Sequence, residues 1–220
     1  MLILSHRGYW QTAAEKNTEV AFHRSFGLGF GTETDVRDAL GELVISHDPP
    51  VGGEMKFSDF LEIYNEYKQQ QNQPLPLALN VKADGLQSRL KPLLEQYQIT
   101  DYFMFDMSVP DAKLYVEQAF KVFTRHSELE TTPSLYEASA GVWLDCFYGD
   151  WIDNNVLESH VNQHKQVCLV SPDLHKRSYQ EFWQNLKAMP VVTNPKTSHQ
   201  VMLCTDFPEA AKLLFSDVLT

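Results

Sequence analysis

The sequence is short of positive charge. Lys and Arg number 18 against 29 Asp and Glu, a formal net charge of −11. That balance argues against nucleic acid as a partner, because neutralising phosphates needs a basic surface. It also disfavours docking on an anionic membrane face. A locally positive site and an anionic substrate remain compatible with it. Cysteine is scarce as well. Cys146, Cys168 and Cys204 lie far apart, each in or beside an apolar strand-like run. An odd count at such spacing argues against a disulfide framework or a zinc knuckle and predicts buried thiols. No apolar stretch approaches 18 residues, and no basic leader precedes Leu2-Ile3-Leu4. A cytoplasmic protein without stable membrane insertion is expected. No linker, low-complexity tract or repeat divides the 220 residues, so one domain over 1–220 is expected, long enough to bury a large core.

What is there alternates. Short apolar runs read as strands at Leu2–Ser5, Phe30–Val36, Leu77–Lys82, Tyr102–Phe105, Lys121–Thr124, Gly141–Cys146, Gln166–Val170 and Val201–Cys204. Helical patterns follow them at Asn17–Leu28, where Val20, Ala21, Phe26 and Leu28 form the apolar set, and at Phe57–Tyr67, with Ser58 as cap. Further helices are expected at Leu86–Tyr97, Asp111–Ala119, Asn154–His164, Tyr179–Ala188 and Pro208–Phe215, with a short one at most over Pro133–Ala138. A Gln-rich, Pro-containing turn fills Gln69–Pro76. Setting aside a hairpin arm at Leu43–Ser46, eight β/α units in this length predict an α/β fold of the compact (β/α)₈ TIM barrel class. An open doubly wound sheet is the alternative.

The chain is organised around Glu33–Asp48. In a strand of period two, Glu33 and Asp35 share a face, and two neighbouring carboxylates need an offsetting charge. A hard divalent cation such as Mg²⁺ or Ca²⁺ supplies one. A turn at Ala39-Leu40-Gly41-Glu42 then leads through Leu43-Val44-Ile45 to His47-Asp48. A barrel collects its functional groups at strand C-termini. Those ends read Ser5-His6-Arg7, Glu33 and Asp35, His47-Asp48, Asn80 and Lys82, Asp106, Arg125, Asp145, Ser171 and Asp206. His160 and His164 stand at helical i, i+4 spacing, but a zinc-protease motif would need a glutamate directly after the first. They read as a solvated helix face. His23 and His126 read as structural, and Trp143, Trp151 and Trp183 as packing.

His6-Arg7-Gly8, Asn17-Thr18, Glu33-x-Asp35-x-Arg37, His47-Asp48 and Cys204-Thr205-Asp206-Phe207-Pro208 together resemble the glycerophosphodiester phosphodiesterase superfamily, a PLC-like phosphodiesterase TIM-barrel group that includes sphingomyelinase D-like phospholipases. The resemblance implies a metal-dependent phosphoric diester hydrolase of lipid metabolism, acting on a small glycerophosphodiester or related lipid or alcohol diester. It implies Glu33 and Asp35, with Asn80, as ligands of Mg²⁺ or Ca²⁺. Arg7 and Lys82 would hold the phosphate, with Asn17 touching it or tying loops together. His6 and His47, with an ordinary pKa near 6.5, would form the general acid–base pair.

Three departures stand out. Asn80 occupies a position where the family usually carries an acidic metal ligand; Asp106 and Asp145 are possible replacements. Glu15-Lys16 stands where the family often has Pro-Glu. Only 34 residues separate His47 from Lys82, leaving little room for an inserted substrate-covering segment. That spacing is closer to the phospholipase D-like branch and implies a more open site. A competing reading is a catalytically weak barrel that binds a phosphorylated ligand or a protein partner.

Overall fold

Leu40 and Gly41 carry φ angles of 51° and 92°, the left-handed pair that a two-residue type I′ hairpin demands. The computed structural model describes residues 1–70 and 75–218. In it, this turn folds β3 (Glu42–Ile45) back antiparallel on β2 (Gly31–Ala39), with Ala39 opposite Glu42. Space is open around Gly41, so the backbone angle alone selects glycine there.

The other strands are β1 (Leu2–His6), β4 (Leu77–Val81), β5 (Tyr102–Phe105), β6 (Phe123–His126), β7 (Gly141–Leu144), β8 (Gln166–Val170) and β9 (Val201–Thr205). Their order is β5-β4-β2-β1-β9-β8-β7-β6, with β3 paired to β2 alone. Without β3, spatial neighbours along this path are sequence neighbours, and β9 returns beside β1. That is the strand order of a (β/α)₈ barrel; a doubly wound sheet reverses its order at a switch point. The helices are α1 (Glu19–Gly27), α2 (Phe57–Lys68), α3 (Gln87–Gln96), α4 (Val109–Glu117), α5 (Asn154–Val161), α6 (Gln180–Ala188), α7 (Pro190–Thr193) and α8 (Pro208–Leu214).

Contacts group the chain into two compact units, Ser5–Val122 and Met1–Leu4 with Phe123–Thr220. In the first, β4 lies parallel between β2 and β5. Val122, just before β6, adds a parallel bridge to Met104. Its apolar centre includes the seam of α1 and α2, where residues four apart on each helix meet. Phe22 lies against Phe60 at 4.6 Å between ring centroids, and Phe26 against Tyr64 at 5.4 Å. All four rings are buried, each contributing roughly 1.5–3 kcal/mol relative to exposure. Ser5, Ser25 and Thr32 are buried too, and their hydroxyls satisfy one another at 2.7 and 2.8 Å. In the second unit, β6 to β9 run parallel. Cys146, Cys168 and Cys204 are buried and form no disulfide, as expected.

Several local expectations change. α1 begins at Glu19, because Asn17 takes φ of 59° and cannot be helical. Val20 and Leu28 face outward, and Phe22 takes their place in the apolar set. Lys56, not Ser58, precedes α2, and the Ser58 hydroxyl turns to Asp59. β6 starts two residues later than expected, at Phe123. Pro133–Ala138 forms turns rather than a helix. His160 is buried, not solvated: its ring bonds His126 Nδ1 at 3.0 Å and the Tyr136 hydroxyl at 2.8 Å. α5 ends at Val161, so His164 lies beyond it with φ of 59° and the two histidines share no helix face. Within the expected Gln69–Pro76 turn, residues 71–74 lie outside the described residues.

Candidate active site

The residues that the resemblance names for the site, His6, Arg7, Asn17, Glu33, Asp35, His47, Asn80 and Lys82, lie within Ser5–Val122. β2 presents Glu33 and Asp35, both buried. Each carboxylate meets Arg7, which shows that the two project to the same side. The Arg7 backbone N–H donates to Glu33 Oε2 at 3.1 Å, and its guanidinium Nε lies 3.1 Å from Asp35 Oδ2. Arg7 reaches both because the chain leaves β1 with φ of 58° there and 76° at Gly8. A Cβ on Gly8 would sit 2.9 Å from Ala21 Cβ, so α1 packs against the glycine itself. His6, the last residue of β1, places Nε2 3.9 Å from Glu33 Oε2.

β4 runs beside β2 with Asn80 opposite Asp35. Lys82, just beyond β4, brings Nζ to 3.4 Å from Asp35 Oδ1 and 3.9 Å from Asp106 Oδ2. Asn80 donates its amide N–H to Asp106 Oδ2 at 3.1 Å. Asn17 latches the first loop to β2. Its Nδ2 donates to Asp35 Oδ2 at 2.8 Å, its Oδ1 accepts from Thr34, and its backbone N–H donates to the Arg7 carbonyl. Arg7, Asn17 and Asp106 all hold left-handed backbone. That conformation is uncommon outside glycine and tends to collect at functional sites.

Burial, and after it the charge of Asp35, raises the Glu33 carboxyl above the ordinary glutamate range, against the pull of Arg7 and Lys82. Asn80 Oδ1 is buried and accepts no hydrogen bond among the described residues, and Asp35 Oδ1, also buried, faces only the Lys82 ammonium at 3.4 Å. Buried oxygens on two residues paired in register across β2 and β4, next to a buried glutamate, are the hard donors that Mg²⁺ and Ca²⁺ prefer. Among the described residues no three His, Cys, Asp or Glu side chains group as a metal site; here the third donor is an amide. The residues present fit a hard divalent cation.

His47 follows β3 and is 43% exposed at its side chain. A carboxylate can only accept, so the 2.8 Å bond to Asp48 makes His47 Nδ1 the donor and leaves Nε2 as the neutral ring's accepting nitrogen. That bond holds Asp48 below the usual carboxylate range. His47 and Asp48 line a cavity of about 990 Å³ together with Arg7, Asn17 and Lys16. Arg7 and Asn17 thus belong both to the cavity wall and to the carboxylate cluster. Lys16 stacks its ammonium 4.3 Å above the Trp10 ring. The roles of Asp48 beside His47 and of Thr34 behind Asn17 were not assigned from the sequence; the adjacent His-Asp pair was the signal for the first.

No family model matches the sequence, and no curated protein does either. Solved structures do. A glycerophosphodiester phosphodiesterase from Agrobacterium tumefaciens is similar with a TM-score of 0.70 at 15% identity, over 98% of this chain and 99% of that one. A phosphodiesterase from Oleispira antarctica, in complex with the product sn-glycerol-3-phosphate, gives 0.67 at 14% identity, over 98% and 97%. A Ca²⁺-dependent phosphatidylinositol-specific phospholipase C from Streptomyces antibioticus gives 0.61 at 12%, over 97% and 95%. At these identities the likeness shows the fold, a (β/α)₈ barrel as in these phosphodiesterases. The neighbours fall in the superfamily that the sequence motifs resemble.

Proposed function

We propose that this chain is a metal-dependent phosphodiesterase, hydrolysing a glycerophosphodiester or a related lipid or alcohol phosphodiester. The observation that carries this is the meeting of Arg7 and Lys82 with Asp35, beside the buried Asn80 Oδ1 that accepts no hydrogen bond among the described residues. Fixed cations and hard oxygen donors in one place suit a phosphoryl group together with a divalent ion. The fold neighbours, all lipid- or glycerol-type phosphodiesterases by description, support the same reading.

Glu33, Asp35 and Asn80 would hold Mg²⁺ or Ca²⁺, which when bound neutralises negative charge on the phosphoryl oxygens. Arg7 and Lys82 hold the diester anion and stabilise the charge that builds on phosphorus-bound oxygen in the transition state. As a water O–P bond forms and the bond to the leaving alkoxide breaks, one of His6 and His47 takes the water proton. The other gives a proton to the alkoxide. Asp48 holds the His47 tautomer whose Nε2 can accept or deliver that proton. Asn17 keeps the loop of Arg7 in register with Asp35.

The test is His47→Ala assayed against glycerophosphodiesters, lysophospholipids and a chromogenic diester. Turnover should fall by roughly 10²–10⁴-fold with the melting temperature unchanged, because the side chain is half exposed. Undiminished turnover would remove His47 from the chemistry. A second reading, a barrel that binds a phosphorylated ligand without turning it over, draws on Asn80 as an uncharged donor. It predicts stabilisation by glycerol 3-phosphate that a chelator leaves intact.

A further inference from the structure

We infer that Asp106 is a positioning residue for the candidate metal site, aiming the Asn80 carbonyl inward and supplying the negative charge that an amide lacks; this rests on the metal-dependent reading above. Asn80 pairs in register with Asp35 on one side and Phe105 on the other. Asp106 comes one residue past Phe105, where φ of 69° turns the chain. From there its carboxylate reaches the Asn80 amide, Nδ2 to Oδ2 at 3.1 Å.

An amide has a donor end and an acceptor end, and a carboxylate can only accept. Asp106 therefore selects one of the two amide orientations. The Nδ2 end must face Asp106, which leaves Oδ1 as the end available elsewhere. That oxygen is buried and has no hydrogen-bond donor among the described residues. Without Asp106 nothing in this contact would prevent the amide from flipping and presenting its N–H₂, which repels a cation.

Charge gives a second, independent argument. Two carboxylates, Glu33 and Asp35, stand against two cations, Arg7 and Lys82. With both carboxylates ionised, that set sums to zero and attracts no divalent ion through net charge. Asp106, its side chain only 17% exposed and 3.9 Å from Lys82 Nζ, engages the lysine from the other side and leaves the set net negative. Asp145, the other strand-end aspartate considered, is committed elsewhere: its Oδ1 accepts from His175 at 2.6 Å and from the Cys146 backbone N–H at 2.8 Å.

The experiment is calorimetric titration of the full chain with Mg²⁺ and with Ca²⁺ alone, without substrate, alongside apo melting temperatures. The proteins compared are the native chain, Asp106→Asn, and the exchange variant Asn80→Asp with Asp106→Asn. Partners that orient metal ligands typically change affinity by 10–100-fold. Asp106→Asn should bind at least about tenfold more weakly than native at an unchanged apo melting temperature. The exchange variant, which returns a carboxylate to position 80 with an amide beyond it, should recover native affinity. A role limited to holding the fold would not be rescued by moving the charge. Equal affinity in Asp106→Asn, or an exchange variant as weak as Asp106→Asn, overturns the inference and leaves the phosphodiesterase reading standing. If the native chain binds neither ion, the inference falls with the metal requirement, and diester turnover in chelator decides separately whether the chain is an enzyme.

Discussion

The Arg7 loop sets the terms of the site at the scale of single residues. Gly8 has φ of 76°, and an added Cβ would come within 2.9 Å of Ala21 Cβ and 3.0 Å of the Ala21 backbone carbon. Both the angle and the space therefore require glycine after Arg7. Gly8→Ala should cost roughly 2–5 kcal/mol, summing left-handed strain and overpacking against α1. Urea unfolding would show this as a lower midpoint; an unchanged midpoint would mean the loop relaxes freely. Asp48 matters in a different way, since its bond fixes the His47 tautomer without contributing burial. Asp106 joins the site through a left-handed residue beyond the end of β5. Strand alternation places Glu33 and Asp35 on one side from sequence alone. It says nothing about a residue past the strand end, which is why Asp106 and Asp145 could not be separated before the structure.

Elements decide which of the eight histidines are buried. α5 stops at Val161 and carries His160 inward between His126 and Tyr136. Burial, then the neighbouring His126, lowers the His160 pKa to about 4. Burial also lowers that of His126. With a folded value of about 4 and an unfolded value near 6.5, the unfolded chain takes the proton first as pH falls. The stability involved is fully present above about pH 6.5 and is lost progressively down to about pH 4. Between pH 7 and pH 5 the His160 share of that loss is roughly 2 kcal/mol. His160→Gln should shrink the difference in unfolding free energy between those two pH values, whatever its effect at pH 7. An unchanged difference would place the acid sensitivity elsewhere. The spacing of His160 and His164 resembled a helix face because sequence spacing does not show where a helix ends. The β2–β3 hairpin was legible for the opposite reason: Leu40-Gly41 between alternating runs signals a two-residue turn without reference to the rest of the chain. Ser58 failed as a cap because α2 starts before it, at Phe57.

For the whole molecule, the strand order was readable because each β/α unit announces itself through apolar runs and helical periodicity. Function at this scale is a matter of charge placement. A chain with net charge −11 nevertheless brings Arg7 and Lys82 together on one buried aspartate, a placement that suits the anionic substrate proposed above. Among the described residues no helix is long and apolar enough to cross a membrane. The setting of His47, on a cavity of about 990 Å³ that Arg7 and Asn17 also line, has room for a small diester. The central claim is that the native chain cleaves phosphodiesters with the help of a divalent ion held at Glu33, Asp35 and Asn80. The most direct measurement is turnover of glycerophosphodiesters and lysophospholipids by the purified chain with Mg²⁺, with Ca²⁺, with chelator, and with metal restored after chelator. The account predicts turnover with at least one ion, its loss in chelator and its return on re-addition. Turnover indifferent to chelator, or none from a folded chain under any of these conditions, would contradict it.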